Sequence, residues 1–287
     1  MQDHRSGRVG HAGASPAGRP LLYVLLIVVA ALWGAPLLWM LVTSIKPESE
    51  IYAYPPVWIP ASPTLEAYAA LFDRFPMLVW FKNSAIVAIL TTLLTVAVDA
   101  LAAYPLARMQ FPGRRIVMGV IFATFLLPYE LLFVPLFLGL NSYGLVDSLF
   151  SLTVPASANA FGVFLLTQFF QAVPKELEEA ATIDGCSRFG FFWRILLPLT
   201  KPGLATVAIF TFVASWNNFF WPLIATNSDA TRTLPVGLAT LVGGAGMSMK
   251  QSVLMASAVA ATLPTALFFL ALQRHFVRGI AATGVKG

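Results

Sequence analysis

Six long apolar segments set the limits on what this chain can fold into. They cover about Leu21–Val42, Ser84–Ala107, Ile116–Leu140, Leu149–Phe170, Gly203–Ile224 and Ser252–Leu272. Each is about as long as the 20-residue helix that crosses a bilayer's hydrocarbon core. Hydrophobic residues make up 58% of the 287 residues and charged residues 11%, against about 45–50% and about 25% in soluble domains. A surface so poor in charge aggregates in water but suits hydrocarbon. The sequence therefore predicts an all-α membrane protein with six transmembrane helices. Pro36, Pro128, Pro135 and Pro264 fall inside the segments, and a membrane bundle tolerates them as kinks because neighbouring helices satisfy the freed carbonyls. The first segment is longer than the apolar part of a signal peptide and is expected to be a retained helix.

The net charge of +5 does not point to nucleic acid, because the basic residues form no dense patch with interleaved aromatics. They lie between the apolar segments, where Lys and Arg orient a protein in its membrane. With a cytoplasmic N-terminus, 13 of the 18 fall inside, among them Arg108, Arg114, Arg115, Lys175, Arg188, Arg194 and Lys201. The other 5, Lys46, Arg74, Lys82, Arg232 and Lys250, fall outside. Both termini are thus expected in the cytoplasm, with residues 1–20 a disordered tail and 21–287 the membrane domain. The Pro- and Tyr-rich loop Lys46–Asn83 is expected to form an ordered external cap.

Several chemistries lack their residues. Cys186 is the only cysteine, and His4, His11 and His275 lie near the two ends, so neither a disulfide framework nor a metal centre is expected. No GxxxxGK[ST] phosphate loop occurs. The nearest Gly-rich stretch, Gly243–Gly246, lacks the Lys-Ser/Thr pair and reads as a flexible external loop.

The loop at 171–201 is the most informative part of the chain. Pro174 suits a helix start, and Glu176, Glu178 and Glu179 place negative charge at the positive end of that helix's dipole. Gly185 provides its stop. About ten residues span roughly 15 Å, too short to cross a membrane. Ser187 can cap a second helix, along which Phe189, Phe192, Trp193 and Leu196 form an apolar stripe suited to the lipid interface. Two readings of the first helix stay open. It seats Ala180 and Ala181 in a groove of another protein and passes motion to the membrane helices, or it is a solvated helix packed on its own bundle.

Glu179-Ala180-Ala181, three residues, Gly185, nine residues and Ile195-x-Leu197-Pro198 together resemble the signature loop of permeases in binding-protein-dependent ATP-binding-cassette importers. The flanking TSIKPE (Thr43–Glu48), FKNS (Phe81–Ser84), AYPLARMQFPG (Ala103–Gly113), SWNNFFWPL (Ser215–Leu223) and QRHFVRG (Gln273–Gly279) resemble the carbohydrate branch, in its maltose-type second permease. The resemblance covers all but the first twenty residues. It implies a type I importer bundle in which Glu176–Ser187 is the coupling helix, with Glu178, Glu179, Ala180, Ala181, Asp184 and Gly185 coupling to an ATPase subunit. It also implies a homologous permease, two cytoplasmic ATPase subunits that carry the ATP and Mg, and an extracytoplasmic solute-binding protein. The chain itself is then no enzyme, holds no cofactor, and sits multi-pass in a bacterial or archaeal cell membrane.

Polar residues within the spans are candidates for the solute path, since buried ionisable groups usually face a bundle interior or a water-filled route. Asp99 lies midway along the second segment, where the family pattern is small or apolar. It is either a pathway group or a buried carboxylate that is paired with nearby Ser/Thr or held protonated. Glu130, next to Pro128, resembles a position where the family often has Glu and is expected at a helix break. Trp216, Asn217, Asn218 and Trp221 combine the aromatic faces and amides that bind sugars, or else the amides hold helices together. An ion-coupled secondary transporter or a polytopic membrane enzyme are the alternatives. The first needs an internal repeat and midplane ion sites, the second a clustered catalytic constellation.

Overall fold

A computed structural model describes residues 18–243 and 249–284. The expected disordered tail and most of the Gly243–Gly246 stretch lie outside the described residues. The described chain is helical, with no strand among those residues. Helix α1 spans Gly18–Ser44, followed by the short α2 (Glu48–Ile51) and α3 (Glu66–Arg74), then α4 (Met77–Arg108) and α5 (Arg114–Phe125). After a 3₁₀ turn at Tyr129–Leu132 come α6 (Phe133–Ser142), α7 (Leu149–Thr153), α8 (Ala160–Ala172) and α9 (Lys175–Ile183). Next are α10 (Arg188–Phe191), a π-helical turn at Phe192–Leu196, α11 (Leu197–Leu199) and α12 (Lys201–Trp216). The chain ends in α13 (Phe220–Ala225), α14 (Leu234–Gly243) and α15 (Gln251–Gly284).

All six apolar segments are helical, but only three are continuous. Among the described residues, three helices are long and apolar enough to cross a membrane, within α1, α4 and α15, and two bent pairs, Arg114–Phe125 with Tyr129–Ser142 and Arg188–Leu199 with Lys201–Trp216, raise that number to five. The third, fourth and fifth of the six expected spans are interrupted. The third bends by 94° between Phe125 and Tyr129, where Pro128 has no N–H to continue the ladder and disfavours helix in the residue before it. The fourth divides around residues 154–159, leaving α8 with 13 residues, about 20 Å against a core of about 30 Å. The fifth stops at Asn217 and restarts at Phe220. Pro36 and Pro264, by contrast, stay inside α1 and α15.

Helix α4 is the axis of the bundle. It packs against α12 and α8, while α1 packs against α15. At one end Ala103, Leu106, Phe170, Ala181, Phe192 and Leu196 share a core, and at the other Leu71, Trp80, Trp216, Leu234 and Val253 share a second. Much of the outer surface is apolar: on α1, Trp33 is 79% exposed amid Leu and Val. Such a surface is stable facing hydrocarbon, and a continuous helix such as α1 pairs its backbone groups internally there.

The loop between α1 and α4 is an ordered cap, tied down by its own charges. Lys46 is buried, donates to the Val57 carbonyl and lies 4.4 Å from the Trp39 ring centre. Glu48 accepts from the Gln251 and Ser252 backbone N–H groups at 2.8 and 3.3 Å, so its charge sits at the N-terminus of α15, where the helix dipole favours it. Asn83 donates to the carbonyls of Ala230 and Arg232, both at 2.9 Å.

Candidate functional site

Two features converge on α4, a short helix at one end of the bundle and a cavity in its middle. The short helix is α9. Pro174 is its N-cap, and Glu176 and Glu178 lie in its first turn. Its far end closes on Gly185, at φ +75°. The Cys186 N–H donates to the Ala181 carbonyl at 2.8 Å and the Gly185 N–H to Thr182 at 3.1 Å. This paired closure takes up the last carbonyls and favours glycine at the left-handed position. Ser187 accepts from the Gly190 N–H at 3.1 Å and caps α10, as its place in the sequence implies.

The faces of α9 differ in what they touch. Glu179, Ala180, Asp184 and Gly185 are exposed. Ala181, at 6% exposure, joins the core of its own bundle, which corrects the expectation that it faces a groove in another protein. Glu178 turns toward α4, its Oε2 lying 3.6 Å from Nη1 of Arg108. The Arg108 side chain is 2% exposed, and its Nη2 donates to the carbonyls of Phe170 and Val173 at 2.6 and 2.5 Å. One guanidinium thus joins the end of α4, the end of α8 and the start of α9. Tyr104 adds a bond from its hydroxyl to the Arg188 carbonyl at 3.0 Å.

Two features of this region escaped the sequence reading. Ile183 is 86% exposed on the polar helix α9, and an apolar residue off the row formed by Glu178 and Ala181 was its only signal. The expected lipid-facing stripe also divides. Phe192 and Leu196 are buried in the bundle, while Phe189 and Trp193 stay exposed. Residues four apart share a face, so the four side chains form two rows, not one.

The second feature is a cavity of about 720 Å³ beside the bend in the third segment. Its polar lining comes from Thr91 of α4, Thr124 of α5, Tyr129 of the 3₁₀ turn, Asn159, and Thr211, Ser215 and Asn218 at the end of α12. Phe125, Phe161 and Phe210 supply ring faces. A concave, largely apolar site with a few polar groups is the general form of a small-molecule pocket.

The sequence candidates fall on both sides of its wall. Asn218 lines the cavity. Asn217 is exposed and donates from Nδ2 to the Val213 carbonyl at 2.8 Å, on its own helix. Trp216 and Trp221 do not line it, which corrects their place as sugar-stacking faces. Trp216 is buried against Phe81 and Phe212, and Trp221 is buried with its Nε1 donating to the Ser151 carbonyl at 2.8 Å. Glu130 lies at the bend, exposed and outside the lining. Asp99 is fully buried behind the wall, where Oδ1 accepts the Asn159 N–H at 3.0 Å. Its partner is backbone, not the Ser or Thr expected. No group of three or more His, Cys, Asp or Glu is placed to hold a metal among the described residues.

Residues 99–282 match the family described as "Binding-protein-dependent transport system inner membrane component". The chain is 34% identical to a sulfoquinovosyl glycerol transport system permease protein of Agrobacterium fabrum, covering 94% of this chain and 95% of that one. It is 33% identical to an arabinooligosaccharides transport system permease protein of Halalkalibacterium halodurans (95% and 98% covered). With an sn-glycerol-3-phosphate transport system permease protein of Yersinia pestis it shares 31% (90% and 94%). Its fold is similar to that of a chain in a bacterial ABC transporter involved in the import of the acidic polysaccharide alginate, with a TM-score of 0.82 at 22% identity over 92% of this chain and 99% of that one. The chain belongs to the family of binding-protein-dependent transport system inner membrane components and is a transporter permease.

Proposed function

We propose that this chain is one of two permeases forming the translocation path of an ATP-driven importer for a polyhydroxylated solute. Di- and oligosaccharides, polyols and glycerol phosphate esters are the solute classes. The named solutes of the relatives support that range, as does a cavity lined by hydroxyl, amide and ring groups. Both termini face the cytoplasm and the chain crosses the inner membrane six times, with the bent third segment and the divided fourth and fifth each counting once.

The observation that carries the reading is α9 itself, a capped helix standing at one end of the bundle with its outer face exposed and its inner face tied to α4. In this reading Glu179, Ala180, Ile183, Asp184 and Gly185 seat in a separate cytoplasmic ATPase subunit, one for each permease. A solute-binding protein delivers cargo at the opposite end. ATP favours a closed ATPase pair, which draws both coupling helices together and opens the path outward. Hydrolysis then resets it. Differential affinity of ATP for the two states drives the cycle.

The test is uptake into proteoliposomes holding the full complex, comparing ATP with imposed proton or sodium gradients. ATP-driven uptake of labelled sugars or glycerol phosphate is expected. Uptake driven by an ion gradient without ATP would sink the reading in favour of a secondary transporter.

A further inference from the structure

Asp99 has a role in the geometry that transport by itself does not explain. Thr91, Thr95 and Asp99 recur every four residues on α4 and are all buried, so they form one polar ladder on a single face of an apolar helix. The ladder faces the segment between α7 and α8. Thr95 donates to the Ala156 carbonyl at 3.3 Å, and Asp99 accepts from Asn159, whose own Oδ1 caps α8 by accepting the Phe161 N–H at 2.9 Å. Ala156, Asn159, Phe161 and Gly162 all line the cavity. Two rungs therefore hold one wall in place.

Gly162 is the fitted partner of the lowest rung. A Cβ there would lie 1.9 Å from Oδ2 of Asp99, so only glycine lets α8 close over the carboxylate. Two buried atoms of the ladder lack a hydrogen-bond partner, Oδ2 of Asp99 against Gly162 and the hydroxyl of the top rung. Thr91 is 2% exposed, lines the cavity, and its hydroxyl has no hydrogen-bond partner. A buried hydroxyl without a partner is costly, and it can both donate and accept, which matches a solute hydroxyl.

We propose that the Thr91–Thr95–Asp99 ladder determines solute selectivity: Thr91 bonds a hydroxyl of the polyhydroxylated solute, and Asp99 is a positioning residue that fixes the opposing wall through Asn159. This rests on the sugar-importer reading above.

The experiment uses the full complex and labelled maltose, an arabinose oligosaccharide and sn-glycerol 3-phosphate as probes. Thr91→Val should lower the maximal uptake rate of the preferred probe about tenfold, the value of one hydrogen bond to a buried group, while raising thermal stability. Thr91→Ser should restore uptake. Asp99→Asn keeps an acceptor for Asn159 and should preserve the ratio of uptake rates among probes. Asp99→Leu and Gly162→Ala should flatten that ratio in complexes that still assemble. A purely structural ladder would lower yield and leave the ratio unchanged, which would overturn the proposal, as would wild-type uptake by Thr91→Val. Uptake of the probes driven by an ion gradient without ATP would instead remove the functional reading beneath it.

Discussion

Arg108, at the last turn of α4, reaches Glu178, in the first turn of α9, across 3.6 Å. The same guanidinium holds two carbonyls at the end of α8, where the negative end of a helix dipole favours a cation. In the proposed coupling role, motion of α9 would pass to two bundle helices through this one side chain, and α4 also carries the ladder behind the cavity. The proposed coupling helix and the proposed solute wall share a single rigid element.

Arg108→Lys should uncouple the two without preventing assembly. Lysine is a point charge and cannot hold two carbonyls and a carboxylate in one planar fork. Solute-stimulated ATP hydrolysis should fall about tenfold, the scale of one or two charge-assisted hydrogen bonds, while the ATPase still co-purifies. Glu178→Gln, which leaves both carbonyl bonds in place, should have the smaller effect. Full stimulation in Arg108→Lys would contradict the linkage.

Gly185 separates backbone from packing. Nothing lies within 4 Å of a Cβ built there, and its φ is +75°. Replacement therefore costs only the left-handed backbone, about 1–2 kcal/mol for alanine and less for asparagine, which tolerates that region. Association with the ATPase should rank Gly above Asn above Ala, read by co-purification. Equal association across the series would show that the turn is not what presents α9.

How much of this was legible follows from what each signal depends on. The six apolar segments were visible because crossing hydrocarbon needs length, and length shows in one dimension. Their breaks were not, because Pro36 and Pro128 read alike in sequence, and only neighbours decide which one stays helical. The α9 cap was legible because Gly185 and Ser187 act locally. The faces of α9 were not, since Ala180 and Ala181 are adjacent and only packing against the bundle core sends one inward. Trp216 and Trp221 misled because an aromatic beside an amide suits a core as well as a sugar. Thr91 and Thr95 stood at a readable spacing from Asp99, but threonine is unremarkable in an apolar helix until its partner is seen.

Ile183→Glu probes the outer face of α9 in isolation from the fold. At 86% exposure the change should leave the permease's own stability within about 0.5 kcal/mol. Seating in an ATPase cleft would bury the isoleucine, worth about 1.5–3 kcal/mol, and a carboxylate there would be buried without a partner. Co-purification with the ATPase should drop more than about tenfold. Undiminished co-purification would place the docking surface elsewhere.

At the opposite end, Asp147 makes the fold sensitive to acid. Burial pushes its carboxyl up, but the Thr231 hydroxyl and the N–H groups of Asn227 and Ser228 (2.9 and 3.2 Å) outweigh it and hold the pKa down at about 2. All of them converge on Oδ1, joining the loop before α7 to the loop after α13. Because the folded pKa lies below the ordinary value of 3.8, the bound carboxylate stabilises the fold above about pH 4, and that contribution disappears as the pH falls toward 2. Protection against hydrogen exchange over residues 226–233, taken relative to the intrinsic exchange rate at each pH, should therefore fall in the wild type only below about pH 4. In Asp147→Asn, which lacks the charge at every pH, protection should already be low at pH 7 and change little on acidification. Matching pH profiles for the two proteins would mean that the carboxylate does not hold the loops together.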